Sequence, residues 1–435
     1  MTFKKKILTS LFALLLTISI PICALKWLKK SPQPHLTIIG SFTSGDGSGR
    51  YSAEIIHVLK NALPLGFKAN GPVQPEDATK GINSIFKNKK SPLGKVILYQ
   101  DSLGQGGMSF KKHIKGLKNL SQIRIAYSVF ESSRIPPEWA LVLNYYFDAV
   151  AVPDPFLVDV YKNSGVIIPI FVLPYPVNLD KFYRVPLRNK KHSPFTFANF
   201  SNATAEKNHI TLVRAFHDAF DNSQEVKLRL NSCYSDPKIS EAIKKEIRLL
   251  KASNVEFTEM ILSEELYLKT FENIDCYVSL SQGEGCPIQP KEAMALGIPV
   301  ILSDNTAQST LCASHLTKGI SSLTQVPGFY SKYQNTYGVF YDCSVKETSQ
   351  ALQDVYGHYG NYLQITLTAR DWVKQYSYDR LKPLYLGLVS PKKIVLGNIN
   401  QVTANYLITD SKELCEKFAH LLGTPFEDQT AGLHE

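Results

Sequence analysis

Two glutamates, Glu284 and Glu292, stand with seven residues between them in the run SQGEGCPIQPKEAMALGIPVILSD, residues 281–304. Carboxylates accept hydrogen bonds from hydroxyls and repel phosphates, whereas the start of a helix offers unpaired N–H groups to an anion. Two carboxylates on either side of a helix start therefore suit a ligand with a phosphate in its middle and hydroxyl-bearing rings at both ends. A nucleotide sugar has that shape. Each feature alone has an ordinary explanation. An acid near a helix start complements the helix dipole, and Gly283 and Gly285 alone mark a loop. The combination carries the inference.

The flanking residues set the elements that must hold these groups. DCYVSLS before the run is β-branched and apolar and predicts a buried strand, and IPVILSD after it predicts a second. PKEAMALG between them predicts a short helix, with Pro290 at its first position and Gly297 just past its end. The product is a strand–loop–helix–strand unit. Glu284 falls on the loop at the carboxyl end of the first strand, Glu292 in the first turn of the helix. In open α/β sheets that crevice is where ligands bind.

At 435 residues, 44% of them hydrophobic and 20% charged, the chain suits two domains with full-sized cores. Seven scattered cysteines without a C-x-x-C pair argue against a disulfide framework or zinc site and for a reducing compartment. The formal net charge of +10 is unevenly spread. Residues 1–30 hold six lysines and no acid, residues 31–190 are +8, and the remainder is −4. The clusters FKNKK (86–90), KKHIKGLK (111–118) and RNKK (188–191) could attract nucleic acid, an anionic membrane surface or an acidic substrate, or form a solvated basic face. They lack the interleaved aromatics of a base-stacking groove, so no nucleic-acid partner is expected. From Ile7 to Leu25 run 19 uncharged residues between lysines. As a helix they span about 28 Å, enough for a bilayer core, and predict an N-terminal anchor. A cleaved signal peptide is the alternative, with a poor cleavage region around Ala24 and lysines directly after it.

After the linker SPQP (31–34), HLTIIGSF predicts a strand, TSGDGSGR a glycine-rich loop and YSAEIIHVLKNAL a helix. Strands follow at KVILYQ (95–100), IRIAYSVF (123–130), FDAVAVP (147–153) and IPIFVLP (168–174). A second alternating unit opens at PFTFANF (194–200), with a helix near 208–220, strands EVKLRLN and NVEF, and closing helices around 345–376. Alternation of this kind predicts an α/β protein with parallel sheets. The boundaries expected are an anchor with basic flanks (1–30), a first Rossmann-like domain (31–190), a second (191–390) and a tail (391–435) whose helical patch SKELCEKFAHLL carries no legible chemistry.

The run GEGCPIQPKEAMALGIPVILSD resembles the E-x7-E signature of retaining glycosyltransferases of family 4. The likeness extends through SVFESSRIPPEW, FDAVAVPDPFLVDVYKNSGV, AEKNHITLVRAFHDAF and LSEELYLKTFENIDCYVSLSQGEG, over roughly residues 36–390. It implies the GT-B fold, two facing Rossmann-like domains, and a nucleotide-diphospho-sugar bound between them, mainly by the second. On this resemblance Glu284 lies against the donor sugar near the reacting carbon, Glu292 accepts from the ribose hydroxyls and Lys207 neutralises the diphosphate. Gly47 and Gly49 let the first domain approach the phosphates, and Gly285 and Ile288 complete the donor-binding set. The predicted anchor, and not the resemblance, suggests a lipid-linked or envelope glycan as the acceptor; the resemblance implies no cofactor and no metal. The absence of any D-x-D agrees with the last point, because no carboxylate pair is spaced to bridge a divalent ion to the diphosphate.

Three departures stand out. Family members usually place an arginine several residues before the lysine; NFSNATAEK has none, and Arg50 is the candidate to supply that contact. Tyr175 and Pro176 replace a polar residue and a glycine. The acceptor-cleft histidine has no match, leaving Glu131 as the nearest polar candidate. A GT-B-like binding protein without turnover and an exported protein with a cleaved signal are the competing readings.

Overall fold

The computed structural model describes residues 33–42, 47–73, 82, 85, 92–100, 103, 122–396, 406–409 and 411–428. The predicted anchor at 7–25 and the lysine clusters at 86–90 and 111–118 lie outside them. No helix among the described residues is long and apolar enough to cross a membrane.

The first unit is β1 (Leu36–Phe42), α1 (Gly47–Leu59), β2 (Leu65–Val73), β3 (Val96–Gln100), β4 (Ile123–Tyr127), α2 (Pro137–Tyr146), β5 (Ala149–Val152), α3 (Phe156–Asn163) and β6 (Ile170–Val172). Its strands form one parallel sheet in the order β2-β1-β3-β4-β5-β6. β2 was not expected from LGFKANGPV, where lysine and glycines interrupt the apolar pattern. Gly47 and Gly49 sit in the first turn of α1 and not in a loop before it.

The second unit is β7 (Phe195–Asn199), α4 (His209–Phe220), β8 (Val226–Ser232), α5 (Pro237–Leu249), β9 (Val255–Glu259), α6 (Glu264–Glu272), β10 (Cys276–Ser279), α7 (Ile288–Leu296), β11 (Val300–Asp304) and β12 (Lys318–Ser321). The order β12-β11-β10-β7-β8-β9 reverses between β7 and β10. Chain direction on the sheet changes there, so the loops leaving these two strands diverge and open a crevice.

α7 is the seam between the units. From Pro290 to Leu296 every residue is buried, charged Lys291 and Glu292 included, so the helix is enclosed on all sides and not two-faced. One continuous core joins the first sheet to Ala293, Met294 and Leu296 of this helix, and a second core fills the far side of the second sheet. α7 begins two residues earlier than its sequence suggests. Pro290 is its third residue, still within the turn whose N–H groups need no partner, and Glu292 falls in the second turn. Gly297 ends it at φ 73°, the left-handed conformation glycine adopts without a Cβ clash.

An antiparallel hairpin, β13 (Thr324–Tyr330) with β14 (Asn335–Asp342), follows β12. Its tyrosines reach across to the first unit. Tyr330 packs 4.9 Å from Phe130, Tyr333 6.5 Å from Trp139, and the Tyr337 carbonyl accepts from the Ser132 hydroxyl at 2.6 Å. Helices α8 (Val345–Gly357), α9 (Tyr359–Trp372) and α10 (Tyr378–Gly387) follow, and α10 returns to pack on α1, with Tyr378 donating to Glu54. The tail holds a small parallel sheet, β16 (Tyr406–Thr409), β15 (Lys393–Leu396) and β17 (Phe426–Asp428), with α11 (Lys412–Leu422). An ion pair from Lys417 to Asp148 ties it to the first unit.

Candidate active site

The crevice beyond the carboxyl ends of β7 and β10 gathers the candidates of the second unit. After β7 the chain makes a short turn, Ala205–Lys207, closed by Asn208 at φ 58° before α4 starts. Asparagine tolerates that conformation, and its side chain donates to Asp342 at 2.7 Å, fixing the turn. The backbone of Gln282 donates to the Glu206 carbonyl at 2.8 Å, lacing the lysine turn to the glutamate loop. Lys207 Nζ and Glu284 Oε1 therefore meet at 2.6 Å. Burial works against the lysine's charge, but Glu284, Glu206 and Glu131 outweigh it and hold the ammonium above the ordinary lysine range.

Glu284 is held at several points. Its carboxylate accepts from Ser281 at 2.7 Å, its backbone N–H donates to Thr306 Oγ1 at 2.8 Å, and its carbonyl accepts from the Ala307 N–H at 3.0 Å. Thr306 has φ 45°. A β-branched residue there is strained, and such strain persists only where surrounding contacts impose it. Nothing in DNTAQ signals it, and the residue escaped the sequence reading.

Glu292 is wholly buried, at 0% exposure. Oε1 pairs with Arg50 Nη2 at 2.8 Å, and Oε2 accepts from Tyr267 of α6 at 2.5 Å. Arg50 comes from the first turn of α1 and also lies 3.7 Å from Glu54. The structure thus brings Arg50 to Glu292 and puts Glu131 on the same crevice from the other unit. Tyr330 donates to Glu131 at 3.2 Å. Burial pushes the Glu131 carboxyl up to about 7; Lys207 opposes this, and Glu206 and Glu284 add to it.

Ile288 is the first residue of α7, which no side chain caps, so its leading N–H groups are free of the intrahelical ladder. Gly283 and Gly285 serve close approach. A Cβ on Gly283 would stand 2.4 Å from the Glu131 carbonyl, and one on Gly285 2.5 Å from the Phe130 carbonyl. Gly285 therefore meets first-unit backbone. His209, buried beside Lys207, is lowered to about 4 by burial and by the lysine's charge, so it is neutral near pH 7. No group of three or more His, Cys, Asp or Glu among the described residues could hold a metal ion.

Comparisons with known proteins bear on the fold and on the second unit. Residues 194–323, the second unit up to the end of its sheet, match the family described as Glycosyl transferases group 1. No curated protein matches the chain by sequence. A glycosyltransferase from Rickettsia africae has a similar structure, with TM-score 0.60 and 14% identity over 83% of this chain and 98% of that one. Sucrose-phosphate synthase from Thermosynechococcus elongatus gives 0.58 and 14% over 81% and 97%. Anabaena Alr3699/HepE in complex with UDP-glucose gives 0.55 and 12% over 80% and 98%. At these identities the likeness is one of fold: two parallel six-stranded sheets with helices, the GT-B arrangement.

Proposed function

We propose that the protein is a membrane-anchored, retaining glycosyltransferase that moves a sugar from a nucleotide-diphospho-sugar to a glycan or lipid-linked acceptor. The observation that carries this reading is the meeting, at the switch point of the second sheet, of two carboxylates, two cations and an uncapped helix start. The diphosphate takes the start of α7 together with Lys207 and Arg50; the ribose hydroxyls go to Glu292 and the donor sugar lies against Glu284. Transfer proceeds by fixed charges stabilising an oxocarbenium-like sugar and its departing diphosphate, with Glu284 an electrostatic partner of the sugar. The group 1 match over this unit supports a transferase. The complexes of Alr3699/HepE with UDP and with UDP-glucose make uridine donors the first to try.

The acceptor enters from the side of Glu131. The uncharged run 7–25 and the +8 charge of residues 31–190 support an anchor, with the body on the cytoplasmic face where nucleotide sugars reside. The test is transfer or hydrolysis of labelled nucleotide sugars by the purified chain, with the product anomer read by NMR. Turnover with retained configuration, lost in Glu284→Ala, is the expected result. Turnover indifferent to Glu284 would overturn the assignment, and an inverted product would overturn retention. For the anchor, N-terminal sequencing of the mature chain should begin within residues 1–6; a start after Ala24 would remove it.

A further inference from the structure

Four charged side chains of the candidate site form two direct pairs, Lys207 with Glu284 at 2.6 Å and Arg50 with Glu292 at 2.8 Å, and Arg50 also lies 3.7 Å from Glu54. Both oxygens of Glu292 are engaged, whereas the contacts of Glu284 fall on its Oε1 alone. Glu284 also accepts from Ser281, and the second oxygen of Glu292 accepts from Tyr267. The pairs differ in origin. Lys207 and Glu284 belong to one unit, whereas Arg50 reaches Glu292 from the other, 242 residues away in sequence.

At the Arg50–Glu292 pair, a ligand supplying only phosphate draws the arginine from its carboxylate and strands that carboxylate in a buried site. A ligand supplying only hydroxyls strands the cation instead. Breaking a buried pair from one side is strongly unfavourable, because the remaining charge has lost its solvent and its partner together. A molecule carrying diphosphate and hydroxyls at the right separation replaces both partners at once. We propose that the Arg50–Glu292 pair is exchanged on donor binding: Arg50 leaves Glu292 for the diphosphate, and ribose hydroxyls take its place on the carboxylate.

This rests on the function proposed above and adds a selection rule to it. Glu292 competes with phosphate for Arg50, and Arg50 competes with ribose for Glu292. Each half of a donor therefore binds poorly alone, and the joined molecule binds more tightly than its halves predict. The exchange also trades a direct bond between the units for one running through the ligand, so donor binding changes what holds α1 to α7.

The test is calorimetric titration of the full chain in detergent with pyrophosphate, with uridine, adenosine and guanosine, and with their diphosphates. Wild type is compared with Glu292→Gln, whose single amide oxygen can accept from only one of the two donors Arg50 and Tyr267 and carries no charge, and with Arg50→Gln. Glu292→Gln should tighten pyrophosphate about tenfold and weaken the preferred nucleoside. Arg50→Gln should do the reverse. A site substitution that improves binding of one half-ligand is the signature a structural strut cannot give. Pyrophosphate binding unchanged or weakened in Glu292→Gln would overturn the exchange. Melting curves check that each variant folds, and Arg50→Lys, which keeps the charge, substitutes for an Arg50→Gln that does not. If no nucleoside diphosphate binds wild type the proposed function fails, and the pyrophosphate comparison still decides the exchange. If one binds and the crossed pattern is missing, the function stands and the exchange falls.

Discussion

Two fully buried carboxylates sit toward opposite ends of the second sheet. Asp275, just before β10, accepts from the backbone N–H groups of His192 and Thr196 at 2.9 and 2.8 Å and from Arg188 at 3.1 Å. Glu292, beyond the carboxyl ends, accepts from two side chains, Tyr267 and an arginine of the other unit. Both are 0% exposed. Burial alone therefore does not separate a structural acid from a functional one; the nature of the partners does. Backbone donors are part of the fold and cannot leave. Side-chain donors, one of them from another domain, can be exchanged for a ligand's hydroxyls.

The comparison can be broken at its structural end first. Asp275→Ala should cost about 3–5 kcal/mol of stability, since it leaves the Arg188 charge without its carboxylate and the buried Thr196 N–H without its acceptor. Denaturant unfolding measures this, and added nucleotide should not rescue more than it stabilises wild type. A loss under about 1 kcal/mol would undo the contrast. At the functional end, Glu284→Gln should lower turnover about 10²–10³-fold, the usual effect of removing one fixed charge or donor at a reacting centre. Steady-state rates check it, with the melting temperature little changed.

Thr306 sharpens the contrast on a smaller scale, because it spends conformational strain at the carboxyl end of the sheet. Thr306→Gly should leave stability equal or higher by relieving the left-handed backbone. It should also lower turnover about fivefold, through loss of a hydrogen bond of about 1 kcal/mol to the Glu284 N–H. Thr306→Ser, which retains the hydroxyl, should recover the rate but not the stability. Equal rates in all three would show that Glu284 needs no such hold.

How much of this was legible in sequence follows from where each signal resides. The unit around Cys276–Asp304 could be read because its strands are continuous apolar runs and Gly297 punctuates the helix end. Its helix start was misplaced by two residues because Ile288 and Gln289 carry no starting signal, and Pro290 is as acceptable at the third position as at the first. The β13–β14 hairpin was invisible. Pro327 and Gly328 interrupt its alternation, and its tyrosines are paid for by Phe130 and Trp139, roughly 200 residues earlier. The strands of the tail are three or four residues long and gain meaning only from one another. Arg50 was marked as a stand-in for a phosphate contact, but its pairing with Glu292 depends on how two domains meet, which no local pattern encodes.

A further expected effect concerns Glu131. Its carboxyl titrates at about 7 in the fold against an ordinary 4.5, so between those values the folded chain holds a proton that the unfolded chain has released. Stability must then fall as pH rises from about 4.5 through about 7. Glu131→Gln should remove that fall, gaining melting temperature over wild type at pH 8 relative to pH 5. A difference that does not vary with pH would mean the carboxyl is solvated.

The most direct test of the account is thermal stabilisation of the chain by a panel of nucleotides and nucleotide sugars, with Glu292→Ala alongside. A ligand at a hundred times its dissociation constant stabilises by about 2.7 kcal/mol. The account predicts a shift of that size with one donor and its loss in the variant. No shift with any member of the panel, or a shift that survives in Glu292→Ala, would contradict it.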